Sequence, residues 1–168
     1  EDIKRQLVGL GIYTGFAQSK GELRLYPTIP RREIRFRKEP LWPNAQISPG
    51  LRCTLDMVNG KSDPVISIDR WQRLELVGWA ADVQAGTIPE TVGIEISSAE
   101  NGRYFVLAQR AWRPDVASFF TNPRLEWAGV VLKLIETRVP TGEYSVHILQ
   151  SSGTHTWSCD TGRRIRFY

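Results

Sequence analysis

The chain has 168 residues, of which 41% are hydrophobic and 24% charged, the composition of one folded domain and not of a disordered polyelectrolyte. Its 22 Lys and Arg exceed its 18 Asp and Glu, giving a formal charge of +4. No apolar run approaches the roughly 20 residues of a membrane-spanning helix, and no signal peptide opens the chain. The start at "EDIKRQL", without Met, reads as a cut end within a longer protein.

In chain order, residues 2–18 are ambiguous. Asp2 is placed to cap a short helix through "IKRQLVGL", whereas Gly9, Gly11 and Gly15 argue against a long one. "ELRLYP" and "EIRFR" alternate apolar and charged residues, as strands with one wet face do. Residues 1–50 hold nine Lys and Arg against five Asp and Glu, so the whole positive excess lies there, densest in "RREIRFRK". Arg31, Arg32, Arg35, Arg37 and Lys38 are therefore candidates for contact with an anionic lipid surface or a partner domain. The plain alternative is a strand edge charged against aggregation. "KEPLWPNAQISPG" reads as a linker, which divides the chain into a basic arm, 1–50, and a folded domain, 51–168.

From residue 51 the pattern is β-rich. "LRCTLDMV" alternates, with Leu51, Cys53, Leu55 and Met57 expected on one side, and "NGKSDP" supplies a turn. "PVISI", "LELVGWA", "TVGIEISS", "YFVLAQ", "WAGVVLKLI", "YSVHILQ", "HTWSC" and "IRFY" follow, the last pair separated by a turn at "DTGRR". Short strands with turn signals about every 8–12 residues predict an all-β fold, an antiparallel sandwich or barrel, with a β-sandwich of Ig-like or jelly-roll-like type preferred. One short helical turn is expected near 115–120. There Pro114 stops a strand, Asp115 is placed to cap, and Phe119 and Phe120 are placed to cover one end.

Little in the sequence points to catalysis. Ser118, His147, His155, Asp115 and Asp160 supply the residue types of a nucleophilic triad, but no GxSxG elbow is present and His147 has the solvent-facing parity of Ser145. Asp82, Glu95, Glu126 and Glu136 lie in separate segments, with no spacing that pairs them for glycoside hydrolysis. No phosphate-binding glycine loop occurs, and no Cys/His cluster suggests a metal; no cofactor is implied. Nucleic-acid binding through the basic stretch, with Tyr26 and Phe36 interleaved, has no accompanying motif. Cys53 and Cys159 are either a bridge closing a loop of about 100 residues or two small buried apolar groups.

The six tryptophans are more informative. Trp79 and Trp127 read as core. Trp112 beside Arg113, and Trp157 beside His155, read as candidate glycan-binding faces, because indole rings stack on the apolar faces of sugars while neighbouring polar groups bond the hydroxyls.

"CTLDMVNG" (53–60), "GWAAD" (78–82), "RPDV" (113–116), "WAGV" (127–130) and "TGEYSVHIL" (141–149) occur in an order that resembles a known module. It is the C-terminal β-sandwich accessory domain of bacterial polytopic membrane glycosyltransferases and cell-surface proteins. Over residues 51–168 the resemblance implies a non-catalytic domain in the periplasm or cell envelope, beside a membrane enzyme that handles lipid-linked sugars. It also implies the Cys53–Cys159 bridge and makes residues 1–50 a juxtamembrane connection. The expected partners are an envelope glycan or lipid-linked sugar and the parent membrane domain; the alternative role is a purely structural, membrane-proximal module.

Overall fold

The computed structural model describes residues 13–19, 22–27, 34–42, 51–152 and 155–168, the first two stretches by backbone alone. The chain forms two compact units, Glu1–Ile34 and Arg35–Tyr168. In the first, β1 (Tyr13–Ser19) pairs antiparallel with β2 (Glu22–Pro27). Strand β2 coincides with the predicted "ELRLYP". Residues 13–18, left ambiguous in the sequence, belong to its partner, and the capped helix start at Asp2 lies outside the described residues.

The second unit is an eight-stranded mixed sheet. Its strands are β3 (Leu51–Val58), β4 (Val65–Ile68), β5 (Leu74–Asp82), β6 (Thr91–Ser98), β7 (Gly102–Ala111), β8 (Gly129–Leu134), β9 (Gly142–Ser151) and β10 (Thr156–Phe167). They pair in the order β3-β5-β8-β7-β6-β9-β10-β4 and nearly close into a barrel-like shape. The fold is all-β, as predicted. The pairing runs as one continuous order, whereas a sandwich was expected, and β4 lies parallel to β10, a departure from the all-antiparallel expectation. The core is the inward face of these strands: Leu55, Leu76, Ile94, Ile96, Leu132, Tyr144, Val146, Ile148 and Ile165 are fully buried.

Two irregularities alter the predicted parities. Leu55 pairs with Gly78 and Met57 with Val77, so Asp56 is an extra residue in β3. This bulge turns Met57 outward, to 41% exposure, and buries Val58 in its place. The "DTGRR" segment is likewise a bulge inside one twelve-residue strand, not a turn between two. Thr161 Oγ1 donates to the Val146 carbonyl at 2.7 Å, and the Gly162 N–H donates to Asp160 Oδ1 at 2.8 Å. At the far end of β3, Asn59 and Gly60 both have positive φ, the requirement of the tight turn predicted there.

The helical turn is α1 (Pro114–Phe119), followed by a 3-10 turn at Pro123–Leu125 that Asn122 caps. Val116, Ala117 and Leu125 bury against Ala81 and Ala128, with Trp79 and Phe120 packed at the margin. Trp79 and Trp127 are half-buried, not core; Trp79 packs at the margin of this satellite cluster. Asp115 does not cap the helix: Arg113 occupies the N-cap position, and no side chain bonds there. Phe119 is 81% exposed and touches the cluster's margin only through its edge-on contact with the Phe120 ring at 4.9 Å; Phe120 packs on the cluster itself.

The segment Arg35–Trp42, assigned by composition to the basic arm, packs on the sheet of the second unit. Arg37 and Phe105 exchange backbone hydrogen bonds of 2.9 and 2.7 Å along the edge of β7 that β8 leaves open. The predicted "EIRFR" strand is reduced to this one bridge among its described residues. Phe36 is buried, and Leu41 and Trp42 lie so close over Gly93 that a Cβ there would stand 2.4 Å from Leu41 Cδ1.

Candidate functional site

Trp157 is the second residue of β10 and pairs with Gln150 on β9, so both side chains belong to the inward face at one end of the sheet. The Trp157 ring is half-buried, and the exposed His155 ring stacks against it at 6.1 Å and 17°. Behind this pair lies a buried polar node that sequence reasoning missed. Gln150 is fully buried, and its Oε1 accepts from Arg110 Nη2 at 2.7 Å. Arg110 also donates to the carbonyls of Ala80 (2.9 Å), Ala128 (3.3 Å) and Pro89 (3.0 Å). One guanidinium thus ties β5, the approach to β8, the 83–90 loop and β9 together. The available signal was parity: Gln150 and Arg110 continue the inward alternations of Val146–Ile148 and Val106–Ala108.

The structure separates the four candidate glycan residues by role. His155 and Trp157 meet. Trp112 is 58% exposed and makes no ring contact with them among the described residues. Arg113 is engaged elsewhere: it forms a two-pronged pair with Asp115 (2.8 and 2.7 Å) and donates to Asp56 Oδ2 at 2.7 Å. The hydrogen bonds from Arg113 hold the Asp115 carboxyl at about 2, well below the usual carboxylate range. Asp115, followed by Asp56, raises the Arg113 pKa further. This saturated network fixes a corner and leaves Arg113 poorly suited to a ligand.

Of the basic candidates, Arg35, Arg37 and Lys38 are exposed; Arg31 and Arg32 lie outside the described residues. Lys38 Nζ sits 5.8 Å from the centre of the Tyr104 ring. Cys53 and Cys159 form a disulfide, with 6.2 Å between their Cα atoms. It joins β3 to β10, where the sheet order does not close. A disulfide suggests an oxidising, extracytoplasmic setting. Among the described residues no helix is long and apolar enough to cross a membrane, and no cluster of His, Cys, Asp or Glu could hold a metal ion.

No family model matches the chain, and no curated protein matches it. The likeness to glycosyltransferase accessory domains therefore rests on the short motifs alone. Among solved structures the chain is similar to a mutant of Salmonella alpha-2-macroglobulin, with 14% identity and a TM-score of 0.38. That match covers 91% of this chain and 8% of the other.

Proposed function

We propose that this chain is a non-catalytic extracytoplasmic module of a bacterial envelope-glycan pathway, binding glycan beside a parent membrane glycosyltransferase. The observation that carries the reading is the stacked His155–Trp157 pair: a half-exposed indole braced by an imidazole at one end of the sheet. An indole held in this way offers a flat apolar face to a sugar ring at little cost in side-chain entropy. The Gln150–Arg110 node behind it keeps β9 and the neighbouring loop in place, so the ring is presented by a rigid support. The disulfide and the motif likeness agree with an envelope location. Glycan-array screening followed by titration calorimetry tests the reading. Native protein should bind at least one envelope sugar, and Trp157→Ala should weaken that binding at least tenfold. If no envelope sugar binds, glycan recognition is removed from the function.

A further inference from the structure

A different part of the molecule carries an outward-facing row of arginines and serines. In the antiparallel register, Arg103 on β7 stands opposite Ser97 on β6, Ser97 opposite Ser145 on β9, and Ser145 opposite Arg164 on β10. Directly opposed residues share a face, so this row crosses the outer face of four strands. Three inter-strand steps of ~4.8 Å set its two arginines about 14 Å apart. Between them the floor is two half-buried serines. Arg166, next along β10, stands opposite Glu143 and widens one wall.

The walls are arginines held in position by acids beneath them. Arg103 lies 5.2 Å from the centre of the Phe105 ring and makes two hydrogen bonds of 2.8 Å to Glu95, a buried carboxylate. Arg164 and Arg166 share the half-buried Glu143 at 3.2 and 2.7 Å. The three arginine side chains remain 58%, 59% and 58% exposed, whereas Glu95 is buried and Glu143 half-buried, so more of the positive than of the negative charge faces solvent. Arg37, bridged to Phe105, adds an exposed cation to the next row, which continues through Glu95 and His147 to the exposed Asp160.

We infer that this trough binds a linear polymer carrying phosphate groups. Guanidinium forks match phosphate oxygens, and serine hydroxyls between them can donate to the same groups. A bilayer surface fits less well. Of the largest exposed apolar side chains, Trp71, Trp112, Phe119 and Ile135 lie outside β6, β7, β9 and β10, and among the described residues the exposed aromatic that borders this face is Tyr168, just past the end of β10. The inference is independent of the Trp157 reading.

Fluorescence anisotropy with labelled linear polyphosphate tests it on the whole chain. The native protein should bind saturably and more weakly as salt rises. Arg164→Gln with Arg166→Gln should weaken binding at least tenfold. Arg52→Gln with Arg73→Gln, exposed cations on other strands or loops, should leave it unchanged. Ser145→Tyr removes no charge but fills the floor, and should weaken binding at least fivefold. Thermal melts confirm that each variant is folded. The inference is overturned by any of four results: no saturable binding, equal loss in the Arg52/Arg73 control, undiminished binding by Ser145→Tyr, or binding confined to phosphatidylglycerol vesicles.

Discussion

Arg113 first reads as a residue that could touch a ligand, and its surroundings give it another task. Its guanidinium reaches Asp56 in "CTLDMVNG", the Gly78 carbonyl in "GWAAD" and Asp115 in "RPDV". Its stem passes Gly129 of "WAGV" so closely that a Cβ there would stand 2.8 Å from Arg113 Cγ and 2.4 Å from the Ala111 carbonyl oxygen. Four short motifs, scattered along the chain, therefore meet at one side chain. The network titrates in acid. Because the folded Asp115 carboxyl is depressed to about 2, its contribution is present above the ordinary carboxylate range of about 4 and is lost as pH falls through about 2. Carbon-detected NMR should find Asp115 titrating near the lower value, and Arg113→Gln should return it towards the ordinary range. An Asp115 titration unmoved by that substitution would show that Arg113 is not the cause.

At the scale of elements, the strap Arg35–Trp42 and the bulge at Asp56 do what the strands alone cannot. The strap occupies the open edge of β7 and seals Gly93 under Leu41 and Trp42. Burying Phe36, with partial burial of two further large side chains, is worth roughly 3 kcal/mol. A chain starting at Arg35 should accordingly unfold in urea as a stable domain, and one starting at Leu51 should lose about that much stability. Equal stabilities would mean that the strap is an ornament on a self-sufficient sheet. The bulge serves a different end: the extra residue is Asp56, the acid that meets Arg113. Strand existence was legible from alternation in each segment from "LRCTLDMV" to "IRFY". The bulges were not, because an inserted residue is defined only by its partner strand, and "LRCTLDM" keeps perfect alternation through Asp56, where the sheet breaks it.

At the scale of the whole unit, one seam governs integrity. The ladder order leaves β3 and β4 as its two ends, and β10 approaches β3 without pairing to it. Across that gap stand the Cys53–Cys159 disulfide and Arg163, which donates to the carbonyls of Leu55 and Ser62. Closing a loop of about 100 residues is worth up to ~4.7 kcal/mol in the chain-entropy model. Replacing both cysteines by serine should lower the unfolding free energy in urea by about 4 kcal/mol. In native protein, alkylation should label neither thiol until a reductant is added. Labelling without reductant would remove both the closure and the oxidising setting that it suggests.

The sequence by itself determined the all-β class, the position of nearly every strand in the second unit, the helical turn near 115–120 and the short list of aromatic and basic candidates. Those properties are local: alternation, turn chemistry and proline stops act over a few residues. Only the tertiary structure decided that the strands form one nearly closed mixed sheet, that His155 and Trp157 stack while Arg113 is consumed by its own corner, and that Ser97 and Ser145 lie between arginines from separate strands. Each of these depends on register between segments distant in sequence, and register is set by the packing of the assembled core.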